Sequence, residues 1–195
     1  MNPTTRRAFM TSVAAASVAP AWAQQTERAR WFETLDREQG RHRFRFWAFD
    51  VYDAVVRVGP GFEPLAWAKH PLALSLTYAR DFKGADIARR SIEEIERQSP
   101  LGEALRQRWL SQLTALLPDV RSGDTLVGAY RPEQGLQFWR QRESWQWLGE
   151  VGDADLSRRF MAIWLAPQTS EPAMRQALLG LSPSAAGRTL SERTP

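Results

Sequence analysis

Residues 43–58 read RFRFWAFDVYDAVVRV, the longest segment of this chain in which apolar residues recur at every second position. The alternation of apolar and polar residues is clean at the start, in Phe44-Arg45-Phe46, and both sides become apolar further along. Such a pattern is typical of a strand that enters from solvent and becomes buried on two faces. We therefore predict one central strand of a sheet here.

The rest of the chain predicts an α+β protein made of short strands and amphipathic helices. Residues 72–78 predict a second strand, in which Leu72, Leu74, Leu76 and Tyr78 share one face. Further strands are predicted at 124–131, 136–140 and 145–148, and helices within 24–41, at 85–98, at 100–117, after Asp153 and after Ser170. Short turns between the later strands make a meander of antiparallel hairpins, and the helices of 85–117 should cover one sheet face.

The first 23 residues have the features of an export signal rather than of a folded element. A twin-arginine pattern at Arg6-Arg7 precedes a short run of small apolar residues and an alanine-rich cleavage site at residues 21–23. We expect a signal at 1–23, one domain at 24–180 and a disordered tail at 181–195. The protein is then expected in the periplasm, with no membrane span after the signal is cleaved.

Composition excludes several classes of function. The chain has no cysteine and only two histidines, His42 and His70, so metal sites and a serine–histidine–aspartate triad are not expected, and neither is a cofactor. Its 26 basic and 22 acidic residues alternate along the sequence, which argues against a nucleic-acid partner. Asp50 and Asp53, three apart on a predicted strand, lie on opposite faces unless a bulge intervenes, so a glycosidase-like pair is not expected.

Several stretches in this order resemble the chalcone isomerase-like proteins, specifically their exported bacterial branch. They are FWAFDVYDA at 46–54, LSLTYAR at 74–80, LPDVRSGD at 117–124, AIWL at 162–165 and RQALLG at 175–180. The resemblance implies an antiparallel sheet with helices layered on one face and an apolar cleft between them. In plant members of the family that cleft binds a flavonoid precursor and closes a ring.

The catalytic set that the resemblance implies is not reproduced here. The family's strand threonine falls on Trp47, which has no hydroxyl and would fill the space that a substrate needs. Its tyrosine falls near Phe82 or Lys83, its asparagine near Arg89 or Arg90, and Arg37 or Arg41 are the available upstream arginines. We therefore expect the cleft to be retained without the plant chemistry.

The leading hypothesis is a binder of a small apolar or amphipathic ligand, such as a fatty acid. The candidate ligand-binding residues are Arg45, Trp47, Tyr78, Arg80 and Arg89. An arginine at the mouth of an apolar cleft could hold a carboxylate, and a tyrosine could donate a hydrogen bond to a carbonyl. One alternative is an isomerase or intramolecular lyase acting on an enone through Tyr78 and Arg80, and another is an interaction module with Trp145 and Trp147 on its surface.

Overall fold

The structure, a computed structural model, describes residues 31–181, and these form a six-stranded antiparallel sheet with four α-helices and a helical segment at residues 31–33. The strands, adjacent in chain order, are β1 (Arg37–Phe46), β2 (Phe49–Val58), β3 (Leu72–Tyr78), β4 (Thr125–Arg131), β5 (Gly135–Gln141) and β6 (Trp145–Val151). The helices are α1 (Gly84–Gln98), α2 (Glu103–Leu116), α3 (Ala154–Leu165) and α4 (Pro172–Leu179), and a 3-10 helix spans Pro64–Lys69. The predicted signal at 1–23 and residues 182–195 of the predicted tail lie outside the described residues.

Residues 43–58 form a hairpin, so the prediction of one central strand is wrong. β1 and β2 pair through a two-residue turn, Trp47-Ala48, which places Phe46 opposite Phe49. β2 is an inner strand, whereas β1 is the edge of the sheet. The predicted helix within 24–41 is confirmed at residues 31–33, but the prediction that it reaches to near Gly40 is wrong, because β1 already begins at Arg37. Residues 24–30 of that prediction lie outside the described part of the chain.

The two faces of the sheet are covered differently. Alternate residues of the inner strands face the helices and form the main core with them, among them Val56, Leu74, Tyr130 and Phe138. The other face carries a smaller cluster of Ala73, Val127, Ala129 and Trp139, covered by Phe32 and Leu35 of the preceding segment. The main core therefore lies between the sheet and one layer of helices.

Two helix boundaries follow local chemistry that the sequence predicts, whereas α2 begins at Glu103 and not at the predicted residue 100. Asp153 caps α3, since its carboxylate accepts hydrogen bonds at 3.0 Å from the backbone N–H groups of Asp155 and Leu156. Gly180 ends α4 with a φ of 62°, the left-handed conformation that suits glycine at this position. Both helices are thus held at the positions from which they cover the sheet. Within residues 31–181, none of the helices has the length and apolar character needed to cross a membrane.

A bulge in β2 changes which side chains share a face. Phe44 pairs with Tyr52, but the next residue, Arg45, pairs with Asp50, so Val51 is the extra residue. Arg43 consequently reaches both carboxylates, with its Nε 2.7 Å from Asp53 Oδ1 and its Nη1 3.4 Å from Asp50 Oδ2. The hydrogen bond from Arg43 holds the pKa of Asp53 below its ordinary value. The two aspartates are therefore ion-pair partners of arginines on the face away from the helices.

Candidate functional site: a cavity between the sheet and the helices

A cavity of about 460 Å³ lies between the inner face of the sheet and the helix layer. Its volume falls within the usual range for small-molecule sites. Most of its lining is apolar and comes from strands β1 to β5 and helices α1, α3 and α4: Phe44, Val51, Leu74, Leu76, Phe82, Ile87, Leu126, Phe138, Phe160, Ile163, Trp164 and Met174. The main core is thus left partly open rather than filled by side chains.

A glycine in the middle of β4 contributes to this space. Gly128 lies opposite Phe138 in the sheet and lines the cavity. A Cβ atom at Gly128 would meet only Leu136 Cδ1 at 3.4 Å and Met161 Sδ at 3.8 Å, which are ordinary contacts. A larger side chain would fit here, so the glycine leaves open a part of the cavity that packed atoms could otherwise fill.

Two tyrosines place hydroxyl groups in the cavity wall. The rings of Tyr52 and Tyr78 lie 6.0 Å apart, and Trp164 donates its indole N–H to the Tyr52 hydroxyl at 3.0 Å. Tyr78 is only 5 % exposed, and its hydroxyl makes no hydrogen bond to any of residues 31–181. Burial raises the pKa of both phenols above the ordinary value, so both stay protonated and can donate at neutral pH.

The charged part of the lining is confined to α1 and the start of α4. Glu94 is a buried carboxylate, 2.5 Å from Arg90 Nη2, and it accepts a hydrogen bond from Ser170 Oγ at 2.9 Å. Arg89, next to Arg90 on α1, has its Nη2 2.9 Å from Asp86 Oδ1. The mouth therefore offers paired charges of both signs, and the rest of the lining is apolar apart from the two tyrosine hydroxyls.

The structure brings two of the five predicted ligand-binding residues to the cavity, namely Tyr78 and Arg89. Arg45 lies on the hairpin, with its Nε 2.6 Å from Asp50 Oδ1, and Arg80 stacks on Phe49 with 5.3 Å between its Cζ and the ring centroid. Trp47 is 89 % exposed at the turn, so the interpretation that it fills the cleft is wrong. None of these three residues lines the cavity, and a role in ligand binding stays a prediction for all five.

Sequence reasoning missed Glu94 and Ser170 as parts of the site. The i, i+4 spacing of Arg90 and Glu94 on a helix is typical of a surface ion pair, and the two side chains do pair, but Glu94 is buried. The signal that could have placed Glu94 inside is the helical face formed by Ile87, Ser91 and Glu94, which are spaced i, i+4, i+7. A carboxylate on such a face is expected to be at least partly buried.

The tryptophans near the second hairpin lie on the opposite side of the sheet from the cavity. Trp147 packs against Trp139 with ring centroids 4.8 Å apart, and Trp145 packs edge-on against Phe32 at 5.3 Å. Trp145 is 38 % exposed and Trp147 is half-buried. This surface is thus mostly occupied by contacts within the chain. In the described part of the chain, no three His, Cys, Asp or Glu side chains are grouped so that they could hold a metal ion.

Comparison with known proteins supports the architecture. No protein-family model matches the chain. An uncharacterized protein of Haemophilus influenzae is 30% identical over 116 residues, which are 60% of this chain and 55% of that protein, so the chain spans about half the length of that relative. The crystal structure of a fatty-acid binding protein of Arabidopsis thaliana is similar with a TM-score of 0.56 and 12% identity, over 73% of this chain and 86% of that one.

The fold is the expected chalcone isomerase-like one. At 12% identity the likeness concerns the fold alone. The predicted α+β class, with an antiparallel sheet and helices layered on one face, is confirmed by the strand order and by this neighbour.

Proposed function

We propose that this protein binds a small amphipathic molecule with a long apolar part, such as a fatty acid, in the cavity between the sheet and the helices. The observation that carries the proposal is the distribution of polarity in a cavity of about 460 Å³. Apolar side chains line the interior, and the charged side chains are gathered on α1 and at the start of α4. A ligand with one apolar part and one polar end matches this arrangement.

The size of the cavity supports a ligand of intermediate length. If each non-hydrogen atom needs about as much room as a water molecule, ~30 Å³, the cavity holds on the order of fifteen atoms. That is the size of a saturated acid of twelve to fourteen carbons, on the same order-of-magnitude basis. The structural neighbour from Arabidopsis is a fatty-acid binding protein, which is consistent with such a ligand.

The Tyr78 hydroxyl is the group best suited to contact the polar end of a ligand. It lines the cavity and lacks a hydrogen-bond partner among residues 31–181, so a bound carbonyl or carboxylate oxygen would satisfy it. Arg89 and Arg90 lie at the mouth, but each already has a carboxylate partner. A ligand carboxylate would therefore have to compete with Asp86 or Glu94 for these guanidinium groups.

Native mass spectrometry of the purified protein tests the proposal. The protein should carry a small apolar molecule after purification, or take one up from a mixture of saturated fatty acids after delipidation. Tyr78→Phe should weaken uptake about fivefold to tenfold, the usual effect of removing one hydrogen bond. Tyr130→Phe is the matched control, because the Tyr130 hydroxyl donates to the Ala68 carbonyl outside the cavity. A protein that never carries or takes up an apolar ligand would contradict the proposal.

A second candidate function is an isomerase or intramolecular lyase acting on an enone. The observation in its favour is the same Tyr78 hydroxyl, an unpartnered donor in an apolar cavity that could polarise a carbonyl. Arg80, its expected companion, lies over Phe49 instead of in the cavity. Turnover of naringenin chalcone by the wild type, lost in Tyr78→Phe, would support this candidate. Equal background rates in both proteins would dispose of it.

We also propose that the protein is exported to the periplasm. The support is the twin-arginine pattern at Arg6-Arg7 followed by a small-residue apolar run. Replacing both arginines by lysine should leave the full-length precursor in the cytoplasm. Fractionation of cells that express the two forms measures this, and equal periplasmic amounts would count against a twin-arginine route.

A further inference from the structure

The turn between β1 and β2 exposes three large aromatic side chains together. Phe46, Trp47 and Phe49, here called the aromatic tip, are 63%, 89% and 61% exposed. Single exposed apolar residues are common on protein surfaces, but three adjacent ones at the end of a hairpin form a patch. This patch is separate from the cavity lining and has no role in the proposed ligand site.

The backbone at the tip adopts a conformation that is unusual for tryptophan. Trp47 has a φ of 57°, and the second turn residue, Ala48, has no positive φ, which is the pattern of a type II′ turn. Glycine is the usual residue at the first position of that turn, because a side chain there is sterically disfavoured. A bulky residue kept in such a conformation, with its side chain in solvent, is a feature that packing within the chain does not explain.

Charged groups surround the tip just behind the aromatic residues. Arg43 and Arg45 are paired with Asp50 and Asp53. Arg80 is different, because it forms no ion pair with any of residues 31–181 and instead lies over the Phe49 ring. One cation at the base of the tip is therefore available for an external anion.

We propose that the aromatic tip docks the protein on the surface of a phospholipid bilayer. Tryptophan and phenylalanine side chains partition into the membrane interface, and an arginine beside them is attracted by the net negative charge of anionic lipids. A projecting turn of this size offers far less area than the roughly 800 Å² per partner of a stable protein–protein interface. A bilayer, in contrast, needs no matching concave surface. These points favour a membrane over a protein partner.

The position of the tip relative to the cavity supports the same occupant. Phe44 and Val51 line the cavity, and each is only two residues along its strand from an aromatic residue of the tip. An apolar ligand that leaves a bilayer at the tip would therefore enter the cavity after a short path. This last argument rests on the proposed function, so the experiment measures vesicle binding separately from fatty-acid uptake.

Co-sedimentation with lipid vesicles tests the docking. The full chain is mixed with vesicles of phosphatidylcholine alone or with phosphatidylglycerol added, and compared with a variant carrying Phe46→Ser, Trp47→Ser and Phe49→Ser. Binding by this variant should be weaker by at least about tenfold, because burial of a single large apolar side chain already shifts an equilibrium by that factor. Arg80→Gln should weaken binding about fivefold, and only to the vesicles that contain phosphatidylglycerol.

The matched control is Leu65→Ser, which removes an apolar side chain of 79% exposure on the 3-10 helix. It should bind vesicles like the wild type. Equal binding by the wild type and the triple variant would overturn the proposal, as would no vesicle binding by the wild type. A triple variant that changes only the oligomeric state in sedimentation analysis would show that a second copy covers the tip, which also overturns it. Fatty-acid uptake measured on the same samples distinguishes failure of docking from failure of the ligand site.

Discussion

Replacing Gly128 with leucine should shorten the ligand that the cavity accepts. The new side chain would occupy the space that Gly128 leaves open, since its Cβ meets only the ends of the Leu136 and Met161 side chains at 3.4 and 3.8 Å. Four added carbons at ~30 Å³ each take up ~120 Å³. This is roughly a quarter of the 460 Å³ in the wild-type cavity.

The expected change in affinity follows from the number of methylene groups that lose their place. At about 0.8 kcal/mol for each buried CH₂, four displaced groups cost about 3 kcal/mol. A fatty acid that fills the wild-type cavity should therefore bind more than about 100-fold more weakly. An acid roughly four carbons shorter should keep its affinity, because it never used that part of the cavity. The free energy of unfolding should stay the same or rise, because the added side chain fills a void.

Displacement of a fluorescent fatty acid by a series of saturated acids of increasing length measures this profile. Gly152→Leu is the matched control, since a Cβ atom at Gly152 meets nothing within 4 Å and the residue lies outside the cavity. Its profile should equal that of the wild type. An unchanged profile in a folded Gly128→Leu protein would refute the reasoning, because the ligand could not then lie beneath β4.

Three further predictions concern the stability of the fold. Asp124 is buried and forms two hydrogen bonds with Arg142, which lower its pKa from 3.8 to about 2. Because the pKa of the folded state is depressed, this stabilisation is present above pH 3.8 and is lost as the pH falls to about 2. Asp124→Asn should lower the free energy of unfolding at pH 7 by about 1–2 kcal/mol, which is less than the full pKa shift implies because Arg142 is 41% exposed. Acid titration of both proteins should show the difference in their stability shrink between pH 3.8 and about 2. Trp47→Gly should leave the free energy of unfolding in urea equal to the wild-type value or raise it by up to about 1 kcal/mol, because glycine adopts a positive φ without strain. The same substitution should weaken vesicle binding, and a clear loss of stability would contradict the expectation. Gly40→Ala should lower the free energy of unfolding by at least about 2 kcal/mol, seen as a lower melting temperature, because its Cβ would lie 2.0 Å from the Ala177 carbonyl oxygen. Stability equal to that of the wild type would mean that α4 is not packed against Gly40.

Periodicity was sufficient to predict most of the elements of the sheet and the helix layer. Strand β3 alternates leucine with small or polar residues, and α1 repeats Ala88, Ile92 and Ile95 at helical spacing, so each pattern has one plausible structure. Gly123 and Gly135 have a positive φ in the structure, and glycine at these positions already indicates a turn in the sequence. These local rules held because the buried face of each element agrees with its propensity.

The β1–β2 hairpin could not be predicted in the same way because its turn lacks the usual residues. Phe46-Trp47-Ala48-Phe49 contains no glycine, asparagine or aspartate, so the two strands look like one continuous apolar run. The available signal was the charge order, in which Arg43 and Arg45 precede the turn and Asp50 and Asp53 follow it. Such an arrangement is what cross-strand ion pairs in a hairpin require.

The site was predictable only where one element determines it. Tyr78 belongs to the apolar face of β3, so its position in the cavity wall follows from the alternation along that strand. Arg45 and Trp47 were expected on one continuous strand, but the chain turns at Trp47-Ala48, so both residues lie near the turn and outside the cavity. Glu94 shares a helical face with Ile87 and Ser91, but its hydrogen bond from Ser170 joins distant parts of the chain, and no local pattern reports that contact.

The contact between the first strand and the last helix also has a consequence for the order of folding during synthesis. Gly40 of β1 lies against the backbone of α4, and Gln39 donates its side-chain amide to the Leu179 carbonyl at 2.8 Å. The two partners are about 140 residues apart, so β1 is made early but its inner face has no cover until α4 leaves the ribosome. A chain truncated before Pro172 should therefore stay bound to chaperones, whereas the complete chain can close its core only after translation of α4.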